Sequence, residues 1–349
     1  MSSTSVPGLK EYTLAWIAAL PHERAAGTMM LDEEYAQPED FTKNASDSNS
    51  YTWGRIGKHN VVIASLPAGE YGTITAAVTV QGLRSSFPHI RFGLLVGIGA
   101  GVPGEKHNVD NTVTVRRDIR LGDVVVSSPD RANGGVVQYD LIKAKEKVEL
   151  KGSLNSPPQA VRHAVSALQA QHELKDPRIS QTLANSIERY PRTAARYSRP
   201  VADVDRLFLA SYRHTDAGDN DDCQRCLELA EIKRPSRNTP KIHYGTIASG
   251  NTLVKNAEYR DELLRSLRKV NVDPLCFEME AAGLMNSFPC LVIRGICDYA
   301  DSHKNDAWQR YAAATAAAFA KELLEYVDAA EIRRSAELRE VLGNSQYIT

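Results

Sequence analysis

"RFGLLVGIGAGVPG", residues 91–104, opens as an unbroken apolar run and passes into glycines. The run is the pattern of a strand buried on both faces, and the glycines read as a tight turn at its end. Working outward, "YTLAWIAAL" (12–20) is a second apolar, β-rich run that stops at Pro21, and "HERAAGTMML" begins a helical pattern directly after it. "YTWGRIGKHNVVIASL" (51–66) reads as a hairpin turning at 57–60, and "GTITAAVTVQGLRSSFP" (72–88) as an amphipathic helix ended by Pro88. Further strands are expected at "GDVVVSS" (122–128), "HYGTIASG" (243–250), "LCFEM" (275–279) and "CLVIRGI" (290–296), with a last long, alanine-rich helix over 308–327. Short buried strands alternating with helices predict an α/β fold, a central mixed β-sheet flanked by helices. Between about 139 and 241 the strand rhythm stops, and "GSLNSPPQ", "KDPRISQ" and "HTDAGDNDDCQRC" interrupt short helical pieces. This region is expected to be a largely helical insertion or cap within one domain spanning 1–330, with 331–349 a polar tail or linker.

The chain's 349 residues, 42% of them hydrophobic, are enough for a substantial core. Lys and Arg number 42 against 43 Asp and Glu, so no overall field draws the chain to nucleic acid or an anionic membrane. The amino terminus lacks a signal-peptide pattern and no apolar run approaches a membrane span, so a cytoplasmic protein is expected. Five cysteines suit reduced thiols better than a disulfide framework.

Chemistry concentrates in three places. "FEMEAAG" (277–283) sets Glu278 and Glu280 in an apolar, small-residue context, where carboxylates are costly unless paired or used. Two residues apart on extended backbone, they point to one side, and either a ribose diol or a core arginine such as Arg294 would satisfy them. "CLVIRGICDYADSHKN" (290–305) ends a buried strand at Asp298, with Asp301, His303 and Lys304 following at the sheet edge where ligands bind in α/β folds. "VGIGAGVPG" (96–104) brings Gly99, Ala100 and Gly101 to the same edge, without the dinucleotide fingerprint.

"GIGAG", "GDVVVSS", "IASGN", "FEMEAAG" and "RGICDYAD", in that order, resemble the purine and uridine phosphorylase superfamily, which includes nucleosidases. The resemblance runs from about residue 12 to 327 and is nearest the version found as the amino-terminal domain of fungal NACHT or ankyrin-repeat proteins. It implies a nucleoside phosphorylase-like catalytic domain in which Glu280 accepts the ribose hydroxyls and Glu278 supports it. Asp298 would assist departure of the base at N7, Met279 would pack on the sugar, and Phe277 would lie near the base. Asn251, in "IASGN", belongs to the binding set.

Within that resemblance Glu23, in "AALPHER", would activate water, and the absence of a hydroxyl in "GIGAG" favours hydrolysis over phosphorolysis, which Arg24 would otherwise serve. Arg117 and Arg120, with Arg116, form one cationic cluster, suited to 5′-phosphates or else to a solvated hairpin edge, and His303 and Lys304 form a second; together with the resemblance to versions that serve as nucleotide-destroying immune effectors, they make an adenine nucleotide such as ATP the leading substrate. Trp308 is expected near the pocket. The expectation is a purine N-ribosyl hydrolase needing no cofactor or metal; the alternatives are a phosphate-dependent phosphorylase and a non-catalytic nucleotide sensor, the latter opposed by Glu23, Glu280 and Asp298. A homo-oligomer, and membership of a larger multidomain receptor, are implied by resemblance only. "CQRC" (Cys223 and Cys226), with His214 upstream, is a weak zinc signal because a second C-x-x-C pair is missing.

Overall fold

The structure is a computed structural model that describes residues 6–107, 113–130, 133–143, 149–150, 152–200, 205–214, 223 and 226–334. The expected tail at 331–349 therefore lies mostly outside the described residues.

The chain begins with β1 (Tyr12–Ala18), α1 (Pro21–Met29), the short β2 (Glu33–Tyr35) and the hairpin β3 (Tyr51–Ile56) and β4 (His59–Ser65). Then come α2 (Thr73–Ser86), β5 (Phe92–Gly101), and a small hairpin of β6 (Glu105–His107) and β7 (Val113–Val115). β8 (Val124–Ser127), β9 (Val136–Gln138) and a second small hairpin, β10 (Ile142–Lys143) with β11 (Glu149–Leu150), precede the helices α3 (Gln159–His172), α4 (Ile179–Arg189) and α5 (Ala194–Tyr197). The remainder is β12 (Ile242–Gly245), β13 (Ile247–Ser249), α6 (Ala257–Arg268), β14 (Cys276–Glu278), α7 (Ala281–Leu284), β15 (Cys290–Asp298), α8 (Gln309–Leu324) and α9 (Ala329–Arg334).

The main sheet has the order β12-β8-β15-β5-β1-β4-β3-β2, with β13, β14 and β9 branching from it. It is mixed, as expected. β1 runs parallel to β4 and β5, and β5 parallel to β15, whereas β14 meets β5, and β8 meets β15, antiparallel. All seven residues of β1 and all nine of β15 are buried, which is why their sequences read as continuous apolar runs rather than alternating ones.

Two expectations are corrected. The glycines of "VGIGAG" form no turn; they lie inside the ten-residue β5. They are needed for space: a Cβ on Gly97 would sit 2.4 Å from Glu23 Oε1 and 2.6 Å from Arg294 Nη1, and one on Gly99 would sit 3.0 Å from the Phe277 carbonyl oxygen. "HYGTIASG" is two strands rather than one, because the chain changes neighbours at Thr246: β12 pairs with β8, and β13 with β14 and β9.

The alanines of α8 allow direct seating on the sheet. A Cβ at Gly295 of β15 would lie 1.8 Å from the Ala312 carbonyl oxygen, so helix and strand backbones touch there. Helices α3, α4 and α5, from the region expected to be an insertion, pack on α8, and their Val161, Leu168, Leu183 and Tyr197 join the main hydrophobic core.

Candidate active site

The carboxyl ends of β1, β5 and β15 meet β14 around a cavity of about 300 Å³. Glu23, Gly99, Ala100, Phe277, Glu278, Met279, Glu280, Asp298 and Lys304 all line it. Residues from four separate sequence stretches are thereby brought to one place.

Each carboxylate is held differently. Glu23 stands in the first turn of α1, where Pro21 at the helix start has no N–H to satisfy. Its Oε2 accepts from the backbone N–H groups of Ala19 (2.7 Å) and Leu20 (2.9 Å), and its Oε1 from that of Ile98 (2.7 Å). The side chain thus ties α1 to β5 and is 2% exposed.

Glu278, ending β14, accepts from the N–H groups of Glu280 (3.2 Å) and Ala281 (3.1 Å) and pairs with Arg294 Nη2. Glu280 lies 3.2 Å from the same nitrogen and accepts from the Gly72 N–H at 3.3 Å. Gly72 has φ +98°, a conformation that favours glycine, and from it the N–H reaches the carboxylate. The diol and arginine readings of this pair therefore coexist: Arg294, 1% exposed, neutralises Glu278, while Glu280 keeps an edge on the cavity. Burial pushes the Glu280 carboxyl up to about 7, against the opposing pull of Arg294, and the neighbouring Glu278 and Glu23 add to the rise. Burial disfavours charge on Arg294, but the three surrounding carboxylates outweigh it and hold the guanidinium above its ordinary range.

Asp298, at the end of β15, accepts from the Ala300 N–H at 2.9 Å and from Lys304 Nζ at 2.6 Å. Lys304 is thereby engaged with the carboxylate instead of standing free for a phosphate.

The other expected site residues lie elsewhere. Arg117 binds Asp273 and the Pro274 carbonyl oxygen, and Arg116 shares Asp273. Arg120 binds Asp118 and the Pro235 carbonyl oxygen and lines a separate polar pocket. Arg24 is held by the hydroxyls of Ser50, Thr52 and Ser65. Asn251 accepts from the N–H and hydroxyl of Thr73, securing the start of α2. Gly101 is packed against Ile296, His303 stacks on Phe208, and Trp308 is fully buried beside Tyr311. None of these lines the cavity. Tyr71, Lys255 and Gln309 do, and were not anticipated. Lys255 had a signal, since it follows β13 at the strand end where ligands bind.

The fold is shared with known structures. The 5′-methylthioadenosine/S-adenosylhomocysteine nucleosidase of Neisseria meningitidis, in complex with methylthio-immucillin-A, superposes with a TM-score of 0.52 and 17% identity, covering 90% of this chain and 99% of that one. The futalosine hydrolase of Helicobacter pylori gives 0.53 and 15%, covering 89% and 97%. The chain has a nucleosidase fold. No family model matches it. A nucleotide-binding leucine-rich repeat (NLR)-like protein of Hyaloscypha variabilis is 42% identical over 316 residues, which is 90% of this chain and 29% of that protein. The chain thus spans under a third of its relative's length. No helix among the described residues is long and apolar enough to cross a membrane.

Proposed function

We propose that the protein hydrolyses the N-glycosidic bond of a purine nucleoside. The observation that carries this is the convergence of Glu23, Glu280 and Asp298 on one cavity beside Phe277 and Met279. Glu280 accepts hydrogen bonds from the ribose hydroxyls, bonds that strengthen as the sugar gains oxocarbenium character. Asp298, as the carboxylic acid, donates its proton to N7 of the base as the glycosidic bond breaks, so the purine leaves neutral and the carboxylate that remains is balanced by Lys304. Glu23 orients and deprotonates water from the far side of the sugar. Phosphorolysis has less support, since Arg24, the cation it would call on, is spent on three hydroxyls outside the cavity.

A second reading concerns the substrate's 5′ end. An adenine nucleotide such as ATP is favoured by exposed Lys255 at the cavity. Against it stands the lining charge: Glu23, Glu278, Glu280, Asp298 and Asp306 outnumber Lys255 and Lys304. The likeness to an NLR-like protein supports placing this domain in a larger receptor. A homo-oligomer is part of the proposal, supported by Tyr71, Ile74 and Val78, exposed by 55%, 78% and 60% around the start of α2 next to the cavity.

The deciding experiment incubates the chain with adenosine, inosine, uridine, AMP and ATP, with and without phosphate, and follows free base by chromatography. Phosphate-independent purine release is the expected result; strict dependence on phosphate overturns hydrolysis, and tight binding without turnover overturns catalysis.

A further inference from the structure

Beside the Asp298 loop, residues 205–214 meet Cys223 and residues 226–232, where Phe208 bridges to Glu231. Phe208, Cys223, Cys226 and Ala230 form a separate hydrophobic cluster, with Tyr212 at its edge. So small a cluster seldom holds a segment in place without a staple.

Cys223 and Cys226 are buried free thiols, and with the His214 imidazole they offer ligand atoms that all lie within 4.8 Å of one another. Zinc bonds of 2.0–2.3 Å at tetrahedral angles place ligand atoms about 3.3–3.8 Å apart, so a contraction of about 1 Å closes the group on an ion. The backbone is already turned for it. The Cys226 N–H donates to the Cys223 carbonyl oxygen at 3.0 Å, and Cys223 has φ +62°, a left-handed conformation that a residue with a Cβ adopts only under constraint. Arg206 fastens the turn from outside by donating to both cysteine carbonyl oxygens, at 2.7 and 3.3 Å, leaving the sulfurs to face inward.

A second observation points to a ligand. His214 Nε2 is buried without a hydrogen-bond partner among the described residues, and so is Nε2 of His303, whose Nδ1 faces Asp301 Oδ2 at 3.7 Å and whose side chain is 5% exposed. The two rings stand 5.4 Å apart, centroid to centroid. Two imidazoles on one tetrahedral zinc stand about 5 Å apart by the same bond lengths. Buried imidazole nitrogens are ordinarily satisfied, so a cluster of unpartnered ones beside two thiols marks missing coordination.

We propose that His214, Cys223 and Cys226 bind one Zn²⁺, with the fourth position open toward His303. Binding releases both thiol protons to solvent and leaves two thiolates on the metal. The site is a clasp rather than a reaction centre. It joins Cys223 and Cys226 to His214 and so to the loop after Asp298, where the His214 backbone N–H already donates to Ser302 Oγ at 2.9 Å and Lys304 reaches back to Asp298.

The test is elemental analysis of the full chain purified without chelator, together with reconstitution of stripped wild-type protein by Co²⁺. The expected results are one zinc per chain, an about tenfold or greater loss of metal affinity in Cys223→Ser and Cys226→Ser, and thiolate-to-cobalt charge-transfer absorption in the wild type. The cobalt spectrum needs no variant to fold. Metal-free protein that gives no cobalt spectrum overturns the proposal, as does a native mass showing a Cys223–Cys226 disulfide, or full zinc retention by both serine variants.

Discussion

Lys304 Nζ lies 2.6 Å from Asp298 Oδ2, so the residue assigned to the leaving base is one half of an ion pair. Asp298→Asn keeps the shape and the Ala300 contact but removes the negative charge that the lysine faces. Base release is expected to fall by about 10²–10⁴-fold, the range for loss of a positioned acid–base group, with the circular dichroism spectrum unchanged. Wild-type turnover by this variant would remove Asp298 from the mechanism.

Glu280 gives the proposed activity a pH signature. Its carboxyl is pushed up to about 7, chiefly by burial. Below that value it is protonated and cannot accept from both ribose hydroxyls; above it the carboxylate can. KM for a purine nucleoside is therefore expected to fall as pH rises through 7, and Glu280→Gln should flatten that dependence while lowering kcat/KM. For stability the sign is opposite. A carboxyl whose folded pKa is raised holds a proton that the unfolded chain has released, so its contribution is full below the unfolded value and is lost as pH climbs toward 7, by at most about 1.4 kcal/mol per pH unit. Denaturant titrations of wild type and Glu280→Gln across pH 5–8 measure the difference.

The sheet and the Glu278–Glu280 pair were legible because burial on both faces leaves continuous apolar runs, and two acids in such a run demand an explanation. What escaped the sequence depends on partners distant in the chain. Arg117 looks free until Asp273 is folded against it. The glycines of β5 look like a turn because the bulk they make room for, Glu23, Arg294 and the Phe277 carbonyl group, comes from other segments. Lys304 reads as a phosphate ligand because nothing in "DYADSHKN" tells that its side chain turns back six residues to Asp298.

Glu23 carries two loads, and one variant separates them. Its carboxylate accepts three backbone N–H groups, so Glu23→Gln turns an amide N–H₂ toward at least one donor and should lower stability by about 1–3 kcal/mol. If it also activates water, base release should fall by about 10² or more while the affinity for adenine is kept. Thermal melts and adenine titration distinguish the outcomes: a lower melting temperature with an unchanged hydrolytic rate would leave Glu23 as a helix cap alone.

Lys255 discriminates between the two substrate readings. It is exposed, and its only expected contribution is charge at the cavity. With a nucleotide substrate, Lys255→Ala should raise KM for ATP by about tenfold, as for loss of one charge-assisted hydrogen bond, with adenosine unaffected. With a nucleoside substrate both values stay as in wild type.

Arg294 tests the buried charge network itself. It is 1% exposed and faces Glu278 and Glu280 together, so removing it strands two carboxylates away from water. Arg294→Met should destabilise the fold by about 3–5 kcal/mol, the cost of breaking a buried pair from one side. Adding Glu278→Gln removes one stranded charge, and because Glu278 and Arg294 are direct partners the two changes should be non-additive. The double variant is expected to be more stable than Arg294→Met in urea denaturation. A double variant no more stable than the single one would show that Arg294 acts through packing, and that Glu278 does not depend on it for neutralisation.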